Sequence, residues 1–450
     1  MTTPPTRKDG DDFLVYNLKL SSVGPSRVTG SDVTHEPNGL DIAMKLHYVM
    51  GVYFFGGEAA LGVTVTQMKD SMFTWCNDYY VNSGRFWRSG SGRPYMKCND
   101  CGVRFIEAKC DKTVEEWLQM VKDCKFGLNK LLVYHLPIGP DLSFSPSLFI
   151  QLTRFKCGGI SMGLSWAHVL GDVLSVSDSF NAWAQVLSGI KSNGLFHIPK
   201  QPIKPKNSDD PVEPLNLPGS VKRVGPVGDC WVTANNGEME TFSFHISSTH
   251  LTHLQSKIWG EPHNINQIPS FESICAIIWH CIANVSEGGV EPNIVTVCKK
   301  DPIHTKTGIL SNTQIISTIK ADFSVAEADL QELATLLVDK IKDEKSQIEE
   351  AVERENDGAC DYIVYGANLT FLDLEEADLY GIEVNGFKPE LVYYTIQGVG
   401  DAGMVIVHAG PGDYDGGGGR IATLILLEKQ LAKVKYELKK NGVLLETEIE

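Results

Sequence analysis

The chain has 450 residues, 42% of them hydrophobic and 21% charged, the balance of a globular protein whose core is large enough to do without disulfides. Acidic residues outnumber basic ones 56 to 40, for a net charge of -16; such a surface repels phosphate backbones and offers anionic lipid no polybasic patch. Length alone predicts roughly two or three domains.

The first twelve residues are polar, contain Pro4 and Pro5, and are expected to be disordered. They lack the apolar centre of a secretory signal, and no apolar run approaches the roughly 18 residues of a membrane span. The 11 cysteines are odd in number and follow no framework, which predicts a reduced, intracellular protein. Val114–Cys124 has helical spacing behind Thr113, a plausible cap with acids in the first turn. Leu148–Phe155 alternates as a strand, and Cys157-Gly158-Gly159 turns the chain into a second strand, Ile160–Trp166. From Lys191 to about Gly228 the chain is rich in proline and poor in apolar residues, so it reads as an extended crossover. That places an N-terminal domain at 13–190, a linker at 191–235 and a C-terminal domain at 236–450. Phe271–Val285 reads as a buried helix. Ser324 and Glu327 fit a capping box ahead of one long helix carrying Leu330, Leu333, Leu337, Ile341, Ile348 and Val352. Strands Met404–Val407 and Ile421–Leu427 flank the loop 410–419, and helix Leu431–Lys440 stops at Asn441-Gly442. Strands and helices mix in both halves, so the fold class is α/β with sheet cores.

Candidate chemistry centres on His168, which follows the second strand, and Asp172, four residues on. Histidine titrates near neutrality and suits general-base work, yet an isolated H-x-x-x-D is common by chance, and a histidine at a strand end is most often a satisfied polar residue. Cys98 and Cys101 form one C-x-x-C without the second pair a structural zinc site usually needs. His250 and His253 could share a helix face but fit the surface of a helix start better than a ligand set. The run Gly416–Gly419 lacks the G-K-[ST] ending of a phosphate loop and reads as a hairpin tip. The acidic stretch Asp339–Glu355 reads as a solvated helix face. No metal site and no resident cofactor are expected.

The segment Gln151–Asp172, QLTRFKCGGISMGLSWAHVLGD, resembles the H-x-x-x-D-G site of the plant BAHD acyltransferases. The resemblance runs along nearly the whole chain: Gly39–Phe55 is similar to the family's first core segment, Met68–Arg85 to its first long helix, Cys98–Ala108 to the next strand and Phe271–Ala283 to the helix opening its second half. Asp373–Pro389 stands in the place of its D-F-G-W-G motif. The resemblance implies two similar chloramphenicol-acetyltransferase-like domains with mixed sheets, joined by the proline-rich crossover. It implies a channel between them in which His168 takes the proton of an alcohol or amine attacking an acyl-CoA. Asp172 would hold the loop structurally through a salt bridge, and Asp378 and Gly381 would be the structural equivalents of the D-F-G-W-G residues. The family is usually monomeric.

The sequence departs from that pattern in three places. Val173 follows Asp172 where the family has glycine, and a β-branched residue adopts positive φ poorly, so the loop that aims His168 is expected to be built differently. D-F-G-W-G is replaced by Asp378-Leu379-Tyr380-Gly381-Ile382, with an extra Glu383–Phe387 before Lys388-Pro389. The stretch Asp301–Thr318 lacks the family's aromatic-Gly-Asn segment. Ser165–Asp172, Asn368–Glu376 and Asp378–Asp401 are instead similar to the Eceriferum/Glossy wax proteins. That branch implies an accessory role in very-long-chain fatty-acid elongation, beside a membrane-bound ketoacyl-CoA synthase. The expected location is the cytoplasmic face of the endoplasmic reticulum or the cytosol, with the nucleus as a further compartment, and acyl-CoA is a candidate ligand or substrate. The alternative is an acyl-CoA-dependent O-acyltransferase with His168 as base.

Overall fold

A computed structural model describes residues 14–122, 126–190, 217–260, 269–286, 291–303, 310–355, 358–412 and 419–444. The expected disordered start, most of the proline-rich crossover and most of the Gly416–Gly419 run lie outside them. The fold is α/β, built on two six-stranded sheets.

The first sheet runs, in spatial order, Val15–Val23, Val103–Cys110, Leu148–Phe155, Ile160–Ala167, Tyr48–Phe55 and Leu391–Gln397. Only Val103–Cys110 and Leu148–Phe155 pair in parallel. Its last strand comes from late in the chain and lies antiparallel to Tyr48–Phe55, with Tyr394 opposite Gly51. The second sheet runs Met239–Ile246, Arg420–Leu427, Met404–Ala409, Leu369–Leu374, Ile294–Lys299 and Ile315–Lys320, and Leu369–Leu374 is parallel to both neighbours. The crossover contributes a short strand, Lys222–Val224, that pairs with Asp361–Ile363. Two pieces of chain, Lys222–Val224 and Leu391–Gln397, thus pair with strands distant in sequence.

Helices cover the sheets for reasons visible in their sequences. Val114–Lys122 begins with the expected cap: the Thr113 hydroxyl accepts from Glu116 N at 3.0 Å, and the Glu116 carboxylate accepts from Thr113 N at 2.8 Å. Ser270–Asn284 is buried along almost its whole length and sets Trp279 against Phe371 of the second sheet. Val65–Asp78 and Val173–Leu187 lie against each other, with Trp75, Phe180 and Trp183 stacked between them. Their indole N–H groups donate to Ser179 O and Ser71 Oγ, both at 2.9 Å, so two buried aromatics keep their polar edges satisfied.

The expected long helix after Ser324 is two helices, Leu330–Asp339 and Lys345–Arg354. Ser324 donates to Glu291 instead of capping, and Asp329 caps the first helix by accepting from Gln331 N at 2.7 Å. The break arises because residues 342–344 bond across to the strand Ile315–Lys320: Lys342 N donates to Ser317 Oγ and Glu344 N to Ile316 O. Tertiary hydrogen bonds there outcompete the intrahelical ladder that the apolar stripe alone predicts.

Candidate functional site

His168 opens a one-turn 3-10 helix directly after the strand Ile160–Ala167. Gly171 follows with φ of +144°, a conformation that favours glycine. Asp172 then caps the helix Val173–Leu187, its Oδ1 accepting from Ser175 N at 3.0 Å. Val173 is the first helical residue and carries no positive φ. The glycine-requiring position is Gly171, so the valine that departs from the family pattern puts no strain on the turn.

Asp172 is buried, and among the described residues its carboxylate is met by hydrogen bonds rather than by a cation. Its Oδ2 accepts from Thr313 N at 2.7 Å, Thr313 Oγ1 at 3.2 Å and Gln314 N at 3.2 Å. Backbone donors of this kind satisfy a buried carboxylate without a cation.

The same 311–314 segment grips His168. Asn312 Nδ2 donates to the His168 carbonyl at 3.0 Å and to Asp41 Oδ1 at 2.8 Å, and Asn312 N donates to that same oxygen at 3.0 Å. Asp41 belongs to a capping box with Asn38 at the start of Gly39–Ala43. Burial raises its pKa to about 6 against the opposing pull of these donors. His168 N donates to the carbonyl of His47 at 3.0 Å. The Nε2 of His47 in turn accepts from the amides of Val364 and Tyr365, at 3.2 and 3.3 Å.

The imidazole of His168 has no exposed surface. Its Nε2 lies 3.1 Å from the Tyr365 hydroxyl, which accepts from Gln314 Nε2. The Tyr365 hydroxyl thereby occupies Nε2, the ring nitrogen a general base would use, whichever of the two atoms carries the shared hydrogen. His168 Nδ1 is buried as well, and the Asn312 side chain favours the protonated ring. Burial lowers the pKa of His168 to about 4, opposed by the charge of Asp172, and burial lowers that of His47 to about 3. Both rings are therefore neutral at neutral pH. Close by, Lys45 and Asp361 form a buried ion pair with Lys45 Nζ 5.5 Å from the Trp231 ring, and Asp361 also accepts from Val227 N at 2.8 Å. A cleft of about 280 Å³ lined by Tyr48, His135, Trp231, Met239, Ile396 and Ile425, among others, opens between the sheets, but His168 does not line it.

Asp378 and Gly381 form a turn that docks on the helix led by Asp172. The Asp378 carbonyl accepts from Ser177 Oγ at 2.8 Å and Asn181 Nδ2 at 2.9 Å. A Cβ on Gly381 would stand 2.2 Å from Asp378 Oδ2 and 2.6 Å from Asn181 Nδ2, so a larger residue there would have to displace both side chains. The additional residues after it form a tight turn closed by a Val384–Phe387 bridge, with φ of +53° at Asn385 and +80° at Gly386. Asn385 Nδ2 anchors it to the carbonyls of Ala59 and Leu61, both at 2.9 Å. This stretch thus has a hydrogen-bonded structure of its own without the D-F-G-W-G residues.

Sequence reasoning singled out His168 and Asp172 but not the groups that close on them. Asn312, Gln314, Tyr365, His47 and Asp41 stand up to 197 residues from His168, and no local period marks them. The two signals open to reading were the polar triplet Asn312-Thr313-Gln314 leading into a strand and the Asn38-x-x-Asp41 box.

A family model described as the Transferase family matches residues 25–298. The chain is 43% identical over 433 residues to Protein ECERIFERUM 26 of Arabidopsis thaliana, covering 96% of each chain. It is 35% identical over 437 residues to Protein ECERIFERUM 2, also of Arabidopsis thaliana, covering 94% of this chain and 98% of that one. Among solved structures, vinorine synthase superposes with a TM-score of 0.68 at 16% identity, covering 95% of this chain and 98% of its own, a likeness of fold.

Proposed function

The chain belongs to the Transferase family, that of the BAHD acyltransferases, and from that membership we propose that it is a non-catalytic accessory protein of very-long-chain fatty-acid elongation in cuticular wax synthesis. It acts beside a membrane-bound ketoacyl-CoA synthase, at the cytoplasmic face of the endoplasmic reticulum, and extends the chain length of the synthase's products. The ECERIFERUM relatives support the wax-related role; the elongation role rests on the sequence resemblance.

The observation that carries the non-catalytic half of this reading is the state of His168. A general base must reach the proton it removes and hold a free lone pair. Here the ring is inaccessible and Nε2 is hydrogen-bonded to Tyr365. A base with a pKa near 4 is also a weak proton acceptor at neutral pH.

The test is the acyl chain-length profile of yeast expressing a plant ketoacyl-CoA synthase alone, with this protein, or with its His168→Ala variant. Longer chains with both versions are expected. Longer chains with the wild type only, from a folded variant, would return His168 to a chemical role.

The O-acyltransferase reading has one observation in its favour: His168 is neutral and sits at the end of its strand between the two halves, the place and charge state that family chemistry needs. Ester formation by purified protein from long-chain acyl-CoA and an alcohol, abolished in His168→Ala, would establish it.

A further inference from the structure

We infer that Tyr365 is the residue that withholds His168, its phenol filling the space in front of Nε2 and keeping water and acyl acceptors from the ring. The inference deepens the accessory reading above and rests on it, because it names the side chain responsible for the silent histidine. Two of the three sequence departures, Val173 and the altered Asp378–Ile382 stretch, are not responsible. Val173 sits unstrained in the first turn of its helix. The Asp378–Gly381 turn docks on that helix through Ser177 and Asn181, on its successive turns away from His168.

Tyr365, by contrast, touches the ring directly and is held from every side. Its ring centroid lies 5.2 Å from that of His168 and 5.0 Å from that of His47, and its hydroxyl is shared between His168 Nε2 and Gln314. Its backbone N–H donates to His47 Nε2 and its carbonyl accepts from Gly400 N at 2.9 Å. The next residue, Gly366, has φ of +83°, and a Cβ there would stand 2.4 Å from Gly400 N. That close approach, open only to glycine, sets where the tyrosine backbone lies. The phenol is thus placed by the fold rather than left to choose a rotamer.

Truncating Tyr365 leaves a space bordered by His168, His47 and Gln314. A polar cavity the size of a phenol ring takes up water, and hydration restores imidazole basicity that burial had suppressed. Hydrogen–deuterium exchange at the imidazole C2 carbon reads this directly, since it requires water at the ring and slows as basicity falls. Peptide mass spectrometry on the full-length protein resolves it residue by residue, with exposed His253 as the internal reference.

In the wild type, His168 is expected to exchange at least about tenfold more slowly than His253, and in Tyr365→Ala the gap is expected to close to about threefold. Tyr365→Phe keeps the ring in place and should leave exchange slow. Tyr365→Leu serves in place of alanine if the smaller side chain unfolds the protein, as read by circular dichroism. Fast exchange of His168 in the wild type, or slow exchange in a folded Ala or Leu variant, overturns the inference. The yeast chain-length profile of Tyr365→Ala separates the two ideas. Retained chain extension with slow exchange discards only the role of Tyr365, whereas chain extension that fails in a folded His168→Ala protein discards the accessory reading.

Discussion

A buried polar cluster and a half-buried one are built on opposite principles in this protein. The one around His168 joins both halves of the chain with neutral groups and hydrogen bonds: His47, Asn312, Gln314 and Tyr365 surround the ring. The other lies at one end of the second sheet and is ionic. Lys299 pairs with Glu272 and stands 3.9 Å from Asp373, while Arg420 pairs with Glu375. Three carboxylates share two cations there. Burial, helped by the charge of Glu375, lifts the pKa of Asp373 to about 7. Asp41, tied to His168 through Asn312, is likewise raised to about 6 by its burial, so in both clusters a carboxylate lies nearer neutrality than the histidine of the family motif. Perturbed titration marks functional sites only probabilistically, and in this fold it follows burial.

The contrast can be broken most forcefully at the buried Lys45–Asp361 ion pair beside the junction. Lys45→Met leaves Asp361 as an unpaired buried charge and is expected to cost about 3–5 kcal/mol in urea unfolding. Lys45→Met with Asp361→Leu should recover most of that loss. Recovery would locate the cost in the orphaned charge; its absence would locate it in packing against Trp231.

Acid should strike the same junction next. The folded pKa values of His47 and His168 are lowered, so the folded state binds fewer protons than the unfolded one. The stability they contribute is complete above the ordinary histidine pKa of about 6.5 and is lost as pH falls from there to about 4 for His168 and about 3 for His47. By pH 5 each of the two should have cost about 1–2 kcal/mol, visible as a falling melting temperature. His168→Gln should soften that acid limb, and an unchanged limb would deny His168 its share.

A smaller loss is expected from Asn312→Ala, about 1–3 kcal/mol, because it strands the Asp41 carboxylate and the His168 carbonyl without their shared donor. Denaturant midpoints compare it with Asn312→Asp, which keeps the shape but sets a second carboxylate against Asp41 and should be worse.

The smallest effect tests the ionic cluster and has the opposite sign. The folded pKa of Asp373 is raised, so its stabilising share is present at low pH and is lost as pH rises from the usual carboxylate range through about 7. Asp373→Asn keeps an acceptor for Glu375 N and removes the charge. It should therefore be more stable than the wild type by about 1 kcal/mol at pH 8 and no more stable at pH 4. A variant that melts lower than the wild type at pH 8 would mean that attraction to Lys299 outweighs burial.

Much of the scaffold could be read from local pattern. The strand Leu148–Phe155, the cap at Thr113, the buried helix near 270–284 and the C-terminal helix ending at Asn441-Gly442 follow from alternation, capping chemistry and apolar periodicity. Each depends on neighbours within a few residues. His168 was found because its strand and the turn to Asp172 are contiguous in sequence. The warning raised by Val173 dissolved because the positive φ belongs to Gly171, a backbone detail that the spacing of a motif does not specify.

By itself, then, the sequence determined the element types, the α/β class, the family and the position of His168 at a strand end, because these arise from short-range periodicity and contiguous motifs. Only the tertiary structure decided what His168 can do. Tyr365 and Gln314 reach it from the far side of the crossover, Asn312 ties its carbonyl to Asp41, and the long helix expected after Ser324 breaks where residues 342–344 find partners on a neighbouring strand. A side chain's protonation and accessibility depend on groups that meet it in space across 144 to 197 residues of chain. No local pattern carries that information, because it exists only once the two sheets have closed around the ring.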